Sequence, residues 1–443
     1  MGGAAIDPGQ NAGRPAGARE LLRIGRTGGM GGMNGETLMR RILDHGSRAD
    51  PYPLYSELRR TPVCRQEDGS YAVSTYHELL ALLHDPRLTS THAEREAADG
   101  GQLPPSFLGM DPPEHDRVRS LVMRQFGPPH SPSRIQDMRG ELESTVRKLI
   151  DAFPEGGEVD LVDAFAYPFP VTVICRLLGV PHEDEPRFRT WADKLVASID
   201  PRPGEDPAIR LREGAETRRE LALYLNDLVE KGAHGSGDGA GDGSGDGMLF
   251  RLADDHDAEG GPLSRLELLV TAVLLLIAGH ETTVNLITNG MLTLLRRPEQ
   301  WERLRREPEI APRLVEELLR FEPPVQIIPR RGALADIEIG DVTIPEGSVV
   351  ALVLASGNRD PKRFTDPDTF DPDRPDIEHL GFGSGIHSCF GAPLARLEAQ
   401  IALTELVRRL DNARLLQDPP PYRSSAVLRG PRHLTIGFDR VLA

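Results

Sequence analysis

The sequence predicts a mainly α-helical protein with a small β region, folded as one large domain. A dozen segments repeat their apolar residues with the 3.6-residue period of a helix. Strand-like runs are few and short, and most of them lie late in the chain. The 443 residues contain no internal repeat and no interior linker that separates two folding units. A chain of this length is long enough to enclose a cofactor within its core.

The helical segments cover most of the chain up to residue 410. We expect helices at residues 36–45, 51–60, 76–84, 114–126, 134–152, 161–178, 184–197, 208–231, 264–296, 298–306, 311–321 and 391–410. The longest of them begins with Ser264 and Glu267, whose spacing predicts a capping box.

The strand predictions fall in two groups. The late group comprises residues 337–339, 342–344, 348–353 and 434–438. The early group is a pair at residues 63–65 and 71–73, which Asp68 and Gly69 would join in a turn. These runs are too short to form more than a minor part of the fold.

Two segments have the composition of flexible chain. Residues 1–35 are rich in Gly and Ala, and predict a disordered extension ahead of a folded domain at 36–443. Residues 235–247 consist of Gly, Ser and Asp with a single Ala, which predicts a flexible loop within that domain. A calcium-binding Gly/Asp repeat is the alternative, but the run lacks the apolar position that such repeats carry.

The net charge and the hydropathy of the chain limit the classes of partner and the compartments that it suits. The formal net charge of −16 opposes binding to nucleic acid or to an anionic membrane. The N-terminus has no apolar segment of the kind a secretory signal needs. The longest apolar stretch, residues 268–278, is shorter than the ~20 residues of a membrane span. We therefore expect a soluble, cytoplasmic monomer.

The three cysteines, Cys64, Cys175 and Cys389, form no CxxC pair. Their number and spacing oppose a disulfide framework and a structural zinc site, and suit a reducing compartment. Cys389 lies in a glycine-rich loop, residues 381–391, which we call the cysteine loop. Its glycines permit close approach to a flat ligand. A helix follows, and the positive end of its dipole favours a thiolate at Cys389.

The spacing of Phe382, Gly385, His387, Cys389 and Gly391 resembles the haem-binding loop of the cytochrome P450 family. The resemblance implies a fold of that type around haem b, with the thiolate of Cys389 as iron ligand. It also implies that Phe382, His387 and Gly391 contact the haem, with His387 at a propionate. It extends from about residue 45 to residue 438.

A second motif lies in the longest predicted helix, at Ala278, Gly279, Glu281 and Thr282. A threonine hydroxyl that bonds back to a carbonyl one turn earlier can open a groove in a helix. The run resembles the oxygen-activation motif of the same family. By that resemblance Thr282 hydrogen-bonds the oxygen being activated, Glu281 helps deliver protons from solvent, and Ala278 and Gly279 lie over the haem face.

Three further segments fit the resemblance. His115 and Arg119 share a helix face and would bind a propionate. Arg331, which precedes the late β region, would bind a propionate as well, with its neighbour Arg330 as the alternative. The resemblance assigns a buried structural role to Glu317, Arg320 and Arg374 behind the haem.

The remaining predictions concern substrate and redox partners. The expected pocket is apolar and suits a lipophilic molecule such as a polyketide, terpenoid or steroid, to be hydroxylated or epoxidised; its predicted residues are Leu275, Val325, Ile327, Ile328 and Val427. The chain has no dinucleotide-binding glycine motif and no cysteine cluster. Electrons from NAD(P)H would therefore come through a ferredoxin and a ferredoxin reductase. Arg117 and Arg124 could form part of the docking surface or be plain surface arginines.

Three other hypotheses compete with the interpretation of the chain as an O2-dependent monooxygenase. The same fold could work as a peroxide-driven or oxidative-coupling enzyme, against which the Glu281 and Thr282 pair argues. A non-catalytic haem sensor would need neither that pair nor a large pocket. A zinc protein would need four clustered nitrogen or sulfur ligands, which the cysteine count opposes.

Overall fold

The computed structural model describes residues 35–91, 103–126, 133–199, 207–234, 247–254 and 261–443. Within these ranges, Gly35–Ala443 forms one compact unit. The predicted N-terminal extension, apart from Gly35, and the predicted glycine-rich loop, apart from Gly247, lie outside the described residues.

Helices dominate the structure, as the sequence predicts. They span Gly35–Leu43, Tyr52–Leu58, Tyr76–Leu83, Glu114–Phe126, Arg134–Asp137, Arg139–Asp151, Pro168–Leu178, Glu185–Ile199, Pro207–His234, Met248–Ala253, Arg265–Leu295, Pro298–Arg306, Ala311–Phe321, Leu354–Gly357 and Ala392–Arg409. The sequence missed Met248–Ala253 and Leu354–Gly357, which are too short to show a period. The segment predicted as one helix at 161–178 instead begins with a π-helical turn, Val162–Ala166, before Pro168 starts the regular helix.

Among the residues that the structure describes, the strands form four small sheets. Five strands form the largest, in the order Val63–Arg65, Tyr71–Val73, Val349–Leu352, Ile328–Ala333 and Leu88–Thr89. The others are Arg414–Leu415 with Thr435–Phe438 and Gly157–Asp160, Leu410–Asp411 with Arg440–Val441, and Ile337–Ile339 with Val342–Ile344. Arg331 was expected ahead of the β region but lies within the strand Ile328–Ala333, which the sequence analysis did not predict.

The helix Arg265–Leu295, here called the long helix, runs through the main hydrophobic core. Its predicted capping box is confirmed, because the Glu267 backbone N–H donates to Ser264 Oγ and the Ser264 N–H donates to Glu267 Oε2. By length and composition it could cross a membrane, but 72% of its most apolar window is buried inside the protein. That burial is what a core helix requires.

A buried ionic cluster, here called the brace, joins Glu317 and Arg320 of the helix Ala311–Phe321 to Arg374 of a later loop. Both Glu317 carboxylate oxygens accept from Arg320, at 2.8 and 2.7 Å. Arg374 Nε lies 3.5 Å from Glu317 Oε2. Arg320 also donates to the carbonyls of Asn358, Pro367 and Thr369. A buried charge is tolerated only with such partners, so the cluster fixes this stretch of chain.

The brace leads directly to the cysteine loop. The Asn358 carbonyl accepts from Arg320, and its side-chain oxygen accepts from the Leu380 backbone N–H at 2.7 Å. Leu380 immediately precedes the cysteine loop. Glu317 and Arg320 therefore hold the entry to that loop through a short chain of hydrogen bonds.

We expect Glu317→Gln to destabilise the protein by roughly 3–5 kcal/mol, because two buried arginines lose their carboxylate. The measurement is the free energy of unfolding in a urea titration. Glu405→Gln is the matched control, since it removes the acid of an i,i+3 pair with the half-exposed Arg408 and should cost at most about 1 kcal/mol. Equal losses in the two variants would contradict a structural role for the brace.

Candidate active site

The cysteine loop owes its shape to glycines at two strained positions. Gly383 and Gly385 both have a φ of 67°, where a side chain is disfavoured. A Cβ on Gly385 would also lie 2.1 Å from the Leu83 carbonyl oxygen. The loop closes where the Cys389 N–H donates to the Phe382 carbonyl at 2.9 Å. The glycines therefore allow the turn that presents Cys389.

The Cys389 sulfur is accessible from a cavity and enclosed by protein on its other sides. Burial raises the pKa of its thiol, against the lowering effect of the Gly391 and Ala392 N–H groups and of the Arg119 guanidinium. The helix N-terminus therefore favours the thiolate, as the sequence predicts. Desolvation outweighs the dipole here, whereas a bound metal ion deprotonates a coordinating thiol outright.

The cavity has a volume of about 2940 Å³ and brings together most of the predicted site. Its lining includes the predicted cofactor and oxygen-site residues Cys389, His387, Phe382, Gly391, Arg119, Arg331, Ala278, Gly279 and Thr282. It also includes all five predicted pocket residues, Leu275, Val325, Ile327, Ile328 and Val427. Two predicted residues, His115 and Glu281, are buried behind this lining.

Thr282 interrupts the apolar sequence of the long helix and lines the cavity. The Thr282 hydroxyl donates to the Ala278 carbonyl at 2.9 Å, one turn earlier. Gly279 also borders the cavity, but the Cβ that it lacks would lie 2.8 Å from Ile174 Cδ1. The glycine is therefore required for close packing against the helix Pro168–Leu178, as well as for any approach of a ligand.

Glu281 lies on the other side of the long helix, with 1% of its surface exposed. One of its carboxylate oxygens is 2.9 Å from Arg423 Nη1. Arg423 belongs to the C-terminal segment and was not predicted. Sequence offered no signal for this pair, because nothing in the spacing of two residues so far apart indicates contact.

A pair of imidazoles lies beside the cysteine loop. The rings of His115 and His387 meet edge to face, 4.6 Å apart between centroids. His387 Nε2 is 2.8 Å from Ser90 Oγ, and His115 Nδ1 is 2.8 Å from Asp116 Oδ1. The other nitrogen of each ring, His387 Nδ1 and His115 Nε2, is buried without a hydrogen-bond partner. Buried polar atoms without partners point to a missing ligand or to water.

The charges around these rings favour an anion. Burial and the neighbouring Arg331 lower the pKa of His387 to about 3. Arg119 is close by, donating to the Ser388 carbonyl at 2.7 Å. Two guanidinium groups and two unpartnered imidazole nitrogens suit a pair of carboxylates. Together with the accessible Cys389 sulfur, these residues fit a haem and its two propionates.

Glu398, which was not predicted from the sequence, lines the cavity and is 1% exposed. Burial raises its pKa well above the usual range, although a hydrogen bond with Thr283 opposes the shift. Its other carboxyl oxygen, Oε2, has no hydrogen-bond partner. The signal available in the sequence was an acid at an apolar position of a helix that follows the cysteine loop.

The structure also bears on the suggestion that Arg117 forms part of a docking surface for ferredoxin. Arg117 forms an ion pair with Glu267, the capping residue of the long helix, and is 28% exposed. Arg117 therefore joins two helices rather than standing as an unpaired surface cation, which weakens its case as a docking residue.

Comparison with known proteins agrees with this geometry. The family model described as "Cytochrome P450" matches residues 106–311 and 309–438. The chain is 36% identical to cytochrome P450 107B1 of Saccharopolyspora erythraea over 89% of this chain and 96% of the relative. It is 37% identical to the cytochrome P450 monooxygenase PikC of Streptomyces venezuelae, over 92% and 96%. The structure of Mycobacterium smegmatis CYP164A2 superposes with a TM-score of 0.80, at 39% identity, covering 91% of this chain and all of that one.

We expect Glu398→Gln to change how stability varies with pH. Because the folded pKa of Glu398 is raised, the folded state keeps a proton that the unfolded state releases above about pH 4.3. Stability should therefore fall as pH rises, and Glu398→Gln should become more stable relative to the unchanged protein. The measurement is the melting temperature of both proteins from about pH 5 to about pH 8. A constant difference across that range would contradict a neutral Glu398.

Proposed function

The chain belongs to the cytochrome P450 family, and on that premise we propose that Cys389, Thr282 and Glu281 carry its chemistry. The enzyme is a haem-thiolate monooxygenase that inserts one atom of O2 into a lipophilic molecule, while the other atom leaves as water. The observation that supports the assignment of residues is geometric: the Cys389 sulfur and the Thr282 hydroxyl open into the same cavity.

The cofactor is haem b, which when bound supplies the iron that activates O2. In this proposal Cys389 ligates the iron, and His115, Arg119, Arg331 and His387 hold the propionates. Phe382, Gly391, Ala278 and Gly279 line the haem faces without adding charge. The brace of Glu317, Arg320 and Arg374 acts only on structure, because it lies behind the cysteine loop and does not line the cavity.

Thr282 is the residue placed to hold a proton in the cavity. Its hydroxyl donates to Ala278 but keeps its lone pairs free to accept a proton or a hydrogen bond from the cavity side. Glu281, which precedes Thr282 in the sequence, would return a proton to the Thr282 hydroxyl from the far side of the helix. Such an acid and alcohol pair is what a reaction that consumes protons at an apolar site needs.

The substrate is proposed to be a natural product or a steroid-like molecule. The apolar wall formed by Leu275, Val325, Ile327, Ile328 and Val427 supports a lipophilic body. Relatives named 6-deoxyerythronolide B hydroxylase and vitamin D(3) 25-hydroxylase, at 36% and 37% identity, support polyketide and steroid-like classes.

The enzyme requires redox partners, and we propose a ferredoxin fed by an NAD(P)H-dependent reductase. We also propose that the protein is a cytoplasmic monomer. The net charge of −16 and the buried long helix support solubility.

The central test is the spectrum of the reduced protein with carbon monoxide. We expect the strongly red-shifted Soret band of a thiolate ligand, and its loss in Cys389→Ser, because an alcohol does not replace the thiolate. Cys175→Ser is the matched control, since Cys175 is buried away from the cavity. A band that persists in Cys389→Ser would overturn the proposal.

A second test addresses Thr282. Thr282→Ala should lower the product formed per NAD(P)H by about tenfold or more, because the cavity loses its proton-holding hydroxyl while electron transfer continues. The missing product should appear as hydrogen peroxide, measured with a substrate selected by its spin-state shift. Thr288→Ala is the control, since Thr288 makes the same bond to a carbonyl one turn earlier, at 2.9 Å, on a buried part of the helix. Equal coupling in both variants would exclude the role given to Thr282.

A further inference from the structure

The helix Pro207–His234, here called the rim helix, forms one wall of the cavity over much of its length. Residues between 210 and 226 on it line the cavity, which corresponds to roughly 24 Å of helix at about 1.5 Å per residue. Leu223 on the rim helix, Ile199 and Leu266 all line the cavity and are exposed to solvent. The cavity therefore reaches the protein surface at the rim helix, where its border is partly apolar.

The rim helix gives the cavity a positively charged wall, although the chain as a whole is acidic. Its charged residues in the lining are four arginines and one glutamate, namely Arg210, Arg212, Arg218, Arg219 and Glu216. Together they carry a formal charge of +3 in a chain with a net charge of −16. A cleft lined by one sign of charge attracts ligands of the opposite sign. This wall therefore favours an anion.

Arg218 stands at an apolar position of the rim helix. It lines the cavity together with Leu211, Ala215 and Ala222, whose spacing places all four residues on one stripe of the helix. Arg218 is half-buried. One turn away in either direction, three and four residues along, the helix carries only Gly, Ala and Leu. No acid of its own helix is therefore in reach of Arg218.

The structure gives Arg218 no partner, in contrast with other arginines of the same wall. Among the residues that the structure describes, its guanidinium group has neither a hydrogen bond nor an ion pair. Arg210 instead donates to the Ser198 carbonyl at 2.9 Å, and Arg265 donates to the side-chain oxygen of Asn226, also at 2.9 Å. Those two arginines hold helices together, whereas the N–H donors of Arg218 are open to a ligand.

We propose that Arg218 is an anion subsite at the rim of the cavity, and that the substrate is a lipophilic carboxylic acid. The inference rests on the proposed function and specifies the substrate class of that same site. The carboxylate would bind Arg218 while the apolar body extends into the cavity toward Cys389. A guanidinium group suits a carboxylate because two of its N–H groups donate in parallel to the two oxygens.

The surroundings of Arg218 favour a single negative charge on a lipophilic body. Arg212 and Arg219 are exposed, and Glu216 lies four and three residues from them on the rim helix, within the range of a helical ion pair. They add a weak attraction at the opening, while Arg218 alone offers an unopposed, half-buried cation. A ligand with several charges would find no second such cation here, and the apolar border of the opening would gain nothing from it.

The test is a spin-state titration of the haem-loaded protein with dodecanoic, abietic and lithocholic acid, and with the methyl ester of each. A spin-state shift reports binding without turnover, so no redox partner is needed. At least one acid should bind about tenfold more tightly than its ester, because the carboxylate adds charge-assisted hydrogen bonds to Arg218. A purely apolar cavity would prefer the esters. Three acids that bind no more tightly than their esters would overturn the proposal.

Substitution of Arg218 identifies the group that recognises the acid. Arg218→Gln should weaken binding of that acid by about tenfold and leave the ester unchanged, which also shows that the variant is folded. Arg218→Lys keeps the charge but not the two parallel donors, so it should retain part of the preference. Arg147→Gln is the matched control, because Arg147 is an exposed helical arginine outside the cavity lining. A preference for the acid that survives in Arg218→Gln would contradict the assignment.

Ionic strength gives a further readout on the unchanged protein. Binding of the acid should weaken as salt rises from about 0.05 to about 0.5 M, since a half-exposed ion pair is screened, whereas binding of the ester should not. Equal responses of acid and ester would count against an ionic subsite. Failure of the proposed function is distinguishable, because the unchanged protein would then lack the thiolate band with carbon monoxide. With that band present, the absence of an acid preference refutes the anion subsite alone.

Discussion

The interaction on which the rest of the structure depends is the buried contact of Glu317 with Arg320. Neither side chain is exposed, and the guanidinium group is satisfied by one carboxylate and three backbone carbonyls. The contact is rigid because displacing either side chain would leave an unpaired charge in the core, which is strongly destabilising. Through Asn358 and Leu380 that rigidity reaches the cysteine loop, where the position of one sulfur atom decides what chemistry is available.

The long helix divides two environments that the chemistry must keep apart. Its cavity side carries Thr282 among apolar residues, and its far side carries Glu281 in a polar, charged locality. Because the two residues are adjacent in sequence, a proton needs to pass only around the helix backbone. The helix thus separates the cavity wall from the polar locality that surrounds Glu281.

The local parts of this arrangement were predictable from sequence. The cysteine loop and the Ala278–Thr282 motif have fixed spacings, and most helices showed a clear period. What could not be predicted depends on contacts between distant segments. The strand Gly157–Asp160 pairs with Thr435–Phe438, and Glu281 meets Arg423. The pKa of Cys389 depends on such contacts as well, because the helix dipole that lowers it is local whereas the desolvation that raises it is set by everything packed around the thiol.

Val196, Val427 and Leu428 form a small apolar cluster in the cavity wall, with Val325 packed against it. The helix that carries Val196 also carries Asp193, and the segment that carries Val427 also carries Arg423. The wall proposed to recognise substrate and the ion pairs of Arg423 with Glu281 and Asp193 are thus built on the same two pieces of chain. For directed evolution this means that selectivity and efficiency are not independent traits. A substitution that reshapes this wall for a new compound also shifts Arg423, and with it the carboxylate of Glu281 that is proposed to supply protons to Thr282.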